Sequence, residues 1–156
     1  MKAEIGGPID GETERRIRDS FGRQGLMAHL GATLHEVRHG LVSIRMPFRA
    51  ELSQQHGYFH AGGTSAIADS AGGYAAYTTF PAASSVLTVE LKINLLNPAY
   101  GEALEARGTV IKAGRTLTVC QIEVFAERDD ERVLVALAQQ TLICLEGRRD
   151  TPAGPR

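Results

Sequence analysis

His60-Ala61-Gly62-Gly63-Thr64-Ser65-Ala66-Ile67-Ala68-Asp69-Ser70-Ala71-Gly72-Gly73-Tyr74-Ala75-Ala76-Tyr77-Thr78-Thr79 is small or apolar on nearly every face of a helix. A helix without a polar stripe belongs inside a protein, and small side chains let other backbones come close to it. The pattern therefore predicts one buried central helix, ended by Pro81. The mid-helix pair Gly72-Gly73 costs about 1 kcal/mol per glycine relative to alanine, so tight packing against a sheet must offset it.

Outward from this helix the periodicity changes. Thr13 to Phe21, with Ile17 and Phe21 four apart among charges, predicts a short amphipathic helix stopped by Gly22 or Gly25. Leu26, Ala28, Leu30, Ala32 and Leu34 then alternate, as do Val42, Ile44, Met46 and Phe48, on either side of Arg38-His39-Gly40. That is the signature of a two-stranded hairpin. Downstream, Val89 to Leu95 alternates before Asn97-Pro98, strand-like runs at 103–112 and 116–126 flank Ala113-Gly114-Arg115, and a last strand runs from Val133 to Leu145. The predicted order is helix, two strands, buried helix, four strands. Without βαβ alternation the sheet should be largely antiparallel, an α+β domain in which one sheet curls around one helix. The folded unit is expected at 12–146, with Gly- and Pro-rich flexible tails at 1–11 and 147–156.

Composition bounds the function. With 156 residues, 43% of them hydrophobic and 22% charged, the chain can bury a core of its own. A formal charge of −1 supplies no basic field for a phosphate backbone, which sets nucleic acid aside as a partner. No apolar run reaches the length of a membrane span and no signal peptide is visible, so the expected location is the cytoplasm, away from the membrane. Cys120 and Cys144, in apolar surroundings without a C-x-x-C, read as reduced and buried.

Chemistry concentrates where charge is missing. Between Glu51 and Glu90 lie 38 residues, and Asp69 is their only Asp, Glu, Lys or Arg. A carboxylate on a buried helix must be hydrogen-bonded, paired, or turned to a cavity, because a bare buried charge is very costly. Function is the sharper explanation; a carboxylate merely bonded to Ser65, Ser70 or Thr88 is the plainer one. Just upstream, Gln54-Gln55-His56-Gly57-Tyr58-Phe59-His60-Ala61-Gly62-Gly63 is a polar approach to the helix N-terminus, where free N–H groups could hold an oxyanion or simply permit a turn. His56 and His60 with Asp69 make only a weak metal motif. Gly63-Thr64-Ser65-Ala66-Ile67 lacks the nucleophile elbow of serine hydrolases, and Gly57 to Gly63 does not lead into a phosphate-binding Gly-Lys-Ser/Thr.

The string His60 to Asp69, followed by Val89-Glu90-Leu91-Lys92-Ile93-Asn94-Leu95-Leu96-Asn97-Pro98-Ala99 and Ala113-Gly114-Arg115-Thr116, resembles the hotdog-fold acyl-CoA thioesterases of the phenylacetyl-CoA type, relatives of 4-hydroxybenzoyl-CoA thioesterase. The resemblance spans about residues 20–145. It implies an antiparallel sheet around one long helix, and hydrolysis of a small aryl or short- to medium-chain acyl-CoA. No metal and no cofactor is implied beyond the coenzyme A of the substrate itself. In that family Asp69 matches the carboxylate that acts as general base or nucleophile. The N–H of Ala61 matches the donor to the thioester oxygen, Gln54 the residue orienting water or carboxylate, and Thr88 a hydroxyl that holds the water. His60 is expected to fix the loop. The site is shared across a homodimer, so Asp69 and Thr88 of one subunit would meet Gln54, His60 and Ala61 of its neighbour, and such dimers commonly pair into tetramers.

One departure matters: Ala61 replaces the first glycine of the family's His-Gly-Gly. If that position requires positive φ, either the loop is relaxed here or the donor has moved to Gly62. Arg115 and Lys112 are candidates for the CoA phosphates, and Tyr58 and Phe59, with Tyr74 and Tyr77, for an acyl pocket, although aromatics beside a buried helix are more often core. The alternative from another class is a non-catalytic hotdog protein that binds acyl-CoA or an aromatic ligand. A hydratase within the same fold would need a differently placed acid–base pair, which the central helix does not offer.

Overall fold

Asp10 opens the first helix by accepting a hydrogen bond from the Thr13 N–H at 2.8 Å, and α1 runs Gly11–Gly22 in the computed structural model, which describes residues 4–152 and 154. A second short helix, α2 (Gly25–Leu30), follows, then β1 (Thr33–Arg38), β2 (Leu41–Pro47), a 3-10 turn at Ala50–Leu52, and the long helix α3 (Ala61–Tyr77). Four strands complete the chain: β3 (Ser84–Leu95), β4 (Ala103–Ala113), β5 (Leu117–Arg128) and β6 (Glu131–Glu146). All pair antiparallel in one six-stranded sheet of order β1-β2-β4-β5-β6-β3. The expected α+β architecture, a sheet around one central helix, is the one observed.

The alternation from Leu26 to Leu34 misled. It predicted a strand, but residues 25–30 are helical and the strand starts only at Thr33. Met27 and Leu30, three apart on one helical face, are buried while Leu26 is exposed, a 3.6-residue period hidden within a two-residue one. Gly31, at φ +67°, closes this helix in the left-handed conformation and turns the chain into β1. At the other hairpin the sequence reading holds, with Arg38 paired to Leu41 across His39-Gly40. β3 begins at Ser84, five residues ahead of the alternation that announced it.

Helix α3 lies across the sheet, with ten of its 17 residues buried and only Gly62 exposed. Two glycines make the close approach possible. A Cβ on Gly108 of β4 would stand 2.5 Å from the carbonyl carbon and oxygen of Ala71 and 2.6 Å from the Gly72 nitrogen, all helix backbone. One on Gly72 would stand 2.0 Å from Gln140 Oε1. Gly73 differs, since its Cβ would make only ordinary contact with Leu142 at 3.6 Å. The close packing that the glycine pair demanded is therefore the work of Gly72. Because neither α3 nor the middle of the sheet can retreat, Gly108→Ala is expected to cost about 3 kcal/mol, the upper end for overpacking. That corresponds to a Tm lowered by about 6–12 °C in thermal unfolding. A Tm within about 2 °C of the parent would contradict this account of the helix–sheet contact.

The C-terminal end of α3 is tied down by Arg16 of α1. Its guanidinium donates to the carbonyls of Tyr77 (3.0 Å), Phe80 (3.1 Å) and Pro81 (2.6 Å), and lies over the Tyr77 ring at 4.4 Å. The flexible tails expected at 1–11 and 147–156 include residues 1–3, 153, 155 and 156, which lie outside the described residues. Of the rest, the Gly6 N–H donates to the His39 carbonyl at 2.7 Å, and Arg23 pairs with the Asp150 carboxylate at 2.9 Å.

Candidate active site

The loop before α3 is shaped by its own hydrogen bonds. Gln54 N–H donates to the Tyr58 carbonyl at 2.8 Å, Gly57 N–H donates back to the Gln54 carbonyl at 2.9 Å, and Gly57 takes φ +81°. The His56 N–H donates to Gln54 Oε1, which leaves the Gln54 NH2 without a partner among the described residues. Phe59 is anchored by its N–H on the Ala99 carbonyl at 2.7 Å, and His60 by its N–H on the Leu52 carbonyl at 2.8 Å.

His60 then caps the helix. Its Nδ1 accepts the Gly62 N–H at 2.8 Å, and its carbonyl accepts from Gly63 N–H at 3.0 Å and Thr64 N–H at 3.2 Å. Ala61, the first helical residue, lacks positive φ; among the described residues only Asp129 and Asp130 have it without being glycine. The departure from His-Gly-Gly thus introduces no strain. It also separates the two candidate donors, since the Gly62 N–H is already engaged by His60 while no described residue accepts from the Ala61 N–H. The helix dipole adds partial positive charge at that open donor.

Eight residues further along, about 12 Å up the axis, stands Asp69. Its Oδ1 accepts from Thr88 Oγ1 at 2.7 Å and from Gln140 Nε2 at 2.7 Å. The same Nε2 lies 2.9 Å from Thr88 Oγ1 and 3.1 Å from the Asp69 carbonyl oxygen. Among the described residues no hydrogen bond reaches Oδ2. Asp69 and Thr88 line a cavity of about 490 Å³ whose walls include Ser20 of α1, Arg23 and Gln24 just after that helix, Tyr74 of α3, Ser85 at the start of β3, and the segment Arg149–Pro152. Burial pushes the Tyr74 phenol up to about 12, against the opposing Ser20 hydrogen bond, so this hydroxyl stays neutral. Cys120, also pushed up to about 12 by burial, stays a thiol and is no nucleophile.

Within one chain six of the expected residues fall into two hollows, while His60, Gly62, Lys112 and Arg115 line neither. Gln54, Tyr58, Phe59 and Ala61 line a second one of about 370 Å³, together with Leu95, Leu96, Asn97 and Pro98 at the end of β3. Phe59 is largely core, edge-on to Phe48 at 5.1 Å between centroids, whereas Tyr58 is exposed beside Tyr100. Lys112 and Arg115 are exposed around the β4–β5 turn, their side chains without hydrogen bond or ion pair to any described residue. The ladder sets Leu117 opposite Ile143, three residues and about 10 Å along β6 from Gln140.

Sequence reasoning missed Gln140. The signal was there: Gln139-Gln140 interrupts an apolar strand, and alternation forces one of two neighbours inward. What the sequence lacks is the long-range register, in which β6 pairs with β3 and sets Gln140 close to Thr88.

The model of a family described as the thioesterase superfamily matches residues 56–133. A crystal structure of a thioesterase family protein from Silicibacter pomeroyi is 46% identical, covers 86% of this chain and 99% of its own, and superposes with a TM-score of 0.85. A curated protein of Halobacterium salinarum, provisionally named an esterase, is 30% identical over 67% of this chain and 72% of its own length. The E. coli PaaI protein, from the phenylacetic acid degradation operon, shares the fold at a TM-score of 0.79, covering 87% of this chain and 95% of its own at 20% identity.

Proposed function

We propose, on the premise that this chain belongs to the thioesterase superfamily, that it hydrolyses an acyl-CoA thioester to the free acid and CoA. The observation that carries this reading is Asp69, the one acid in a long uncharged stretch, held at Oδ1 by two donors with Oδ2 left over for chemistry. A thioester carbonyl is already electrophilic, so one oriented carboxylate and one oxyanion donor suffice without a triad or a metal. Water adds to the carbonyl carbon while its proton passes to Asp69 Oδ2, and the negative oxygen collects on the Ala61 N–H. Collapse of this tetrahedral intermediate re-forms the carbonyl, breaks the C–S bond and returns the proton to the departing CoA sulfur. Direct attack by Oδ2, which breaks the C–S bond and expels the CoA thiolate to give an anhydride that water then opens to the free acid and the restored carboxylate, the proton from water going to the thiolate, uses the same groups. Thr88 holds the carboxylate, and the Gln54 amide orients the water.

Both halves meet only if a second copy of the chain completes the site. Asp69 and Ala61 sit about 12 Å apart along one helix and open into different hollows. β3 is an edge strand, with Leu87, Val89 and Leu95 each 57–59% exposed, an unpaired apolar edge that invites another strand. The beginning of β3 lines the Asp69 hollow and its end lines the Ala61 hollow. Antiparallel pairing of β3 with its own copy sets the beginning of one against the end of the other. This joins Asp69 and Thr88 of one subunit to Gln54, His60 and Ala61 of its neighbour, and two such dimers form the tetramer. Arg115 and Lys112 meet the CoA phosphates at the rim, and Tyr58, with the buried Phe59 ring behind it, borders the acyl group.

The test is CoA thiol release by the purified protein from phenylacetyl-, hydroxyphenylacetyl-, benzoyl-, short-chain and medium-chain acyl-CoAs. Turnover of one or more supports the reading, and their ranking describes the pocket. Binding of the CoA esters without any release would make this a non-catalytic acyl-CoA binding protein instead.

A further inference from the structure

Gln140 is fully buried, and only the nitrogen end of its amide finds partners. Nε2 is within 2.7 Å of Asp69 Oδ1, 2.9 Å of Thr88 Oγ1 and 3.1 Å of the Asp69 carbonyl. Oε1 is buried without a partner among the described residues, wedged in the space that the missing side chain of Gly72 leaves. Burying an amide with an orphaned oxygen costs about 1–3 kcal/mol, and an apolar side chain would fill the same volume more cheaply. A strand meant only to pack has no use for it. The amide nitrogen is shared among Asp69 Oδ1, Thr88 Oγ1 and the Asp69 carbonyl, which restrains the carboxylate at Oδ1 and leaves Oδ2 as the oxygen without a donor among the described residues.

Resting on the thioesterase reading of Asp69, we propose that Gln140 is a positioning residue that locks Oδ1 so that Oδ2 alone faces the substrate, with Gly72 as the gap that admits its amide. Gln140 touches no substrate and acts through Asp69 and Thr88. Binding of the acyl-CoA should therefore be untouched by its loss while the chemical step suffers, because orientation is spent in the transition state.

The experiment compares Gln140→Met, Gly72→Ala and Asp69→Asn with the parent protein, measuring kcat and KM on the acyl-CoA that is turned over best, with Tm as a check on folding. Gln140→Met keeps the volume and removes the donors. It should lower kcat about tenfold to a hundredfold, the range for losing a hydrogen bond to a charged group, with KM within about twofold. A purely structural role would lower Tm and leave kcat per folded protein unchanged. Gly72→Ala should lower kcat in the same way, since its Cβ displaces Oε1 while Gln140 itself stays; it also presses on Ile122 at 2.9 Å and lowers Tm, so with kcat referred to folded protein it carries the test should the Met variant not fold. If Asp69→Asn is inactive but the folded Gln140→Met or Gly72→Ala protein keeps the parental kcat, the positioning role is wrong and the thioesterase reading stands. If Asp69→Asn turns over normally, that reading fails and takes Gln140 with it.

Discussion

Asp69→Asn should fold like the parent protein and lose about a hundredfold to ten-thousandfold in kcat for acyl-CoA hydrolysis, the range general base catalysis contributes. The substitution is clean because of how the side chain is held. An asparagine carbonyl oxygen can take the place of Oδ1 and accept the same bonds from Thr88 and Gln140, so nothing buried loses its partner. The amide nitrogen then replaces Oδ2. It can neither take a proton from water nor attack a carbonyl carbon, so the loss falls on the chemical step, with KM little moved. Thermal unfolding should show a near-parental Tm. Near-normal kcat in this folded variant would remove Asp69 from the mechanism.

Ala61→Pro is expected to lower kcat about a hundredfold to a thousandfold, the cost of removing one oxyanion donor. Deleting a single backbone N–H is rarely possible without wrecking a helix, but this position allows it. Proline is favoured at the first helical residue, where the N–H has no intrahelical partner. The preceding residue, His60, has φ −66° and ψ 137°, the extended region that proline imposes on its predecessor. His60 Nδ1 and its carbonyl still accept from Gly62, Gly63 and Thr64, so the helix start is retained. Steady-state kinetics should show a kcat effect with little change in KM. A proline variant as fast as the parent would place the donor elsewhere.

Much of the architecture could be read from local pattern. The run from His60 to Thr79 marks a buried helix because it has no polar face, and five of the six strands follow from alternation and breaks, the exception being β1. α2 was lost because Leu26 to Leu34 satisfies two periods at once, and only packing shows that Met27 and Leu30 face the core. Gly108 carries no local signal at all; its role exists only because Ala71 of α3 crosses it. The same division holds at the candidate site. Asp69 stands out by its isolation in the chain, and Ala61 by its place ahead of the helix. Gln140 is 71 residues from Asp69, and the contact depends on sheet register, which no local pattern encodes. Nor does composition say that α1 and Arg149–Pro152 wall the Asp69 cavity.

One active centre made by two subunits can be rebuilt by mixing two dead proteins. Asp69→Asn and Ala61→Pro chains, carrying different affinity tags, are co-expressed and the heterodimer is isolated through both. If Asp69 of one subunit works with Ala61 of the other, the heterodimer holds one intact site and one doubly impaired site, and CoA release should return to about half the parental rate. A heterodimer as inactive as either parent variant would show that the two residues do not meet across the subunits, and the composite site would be wrong.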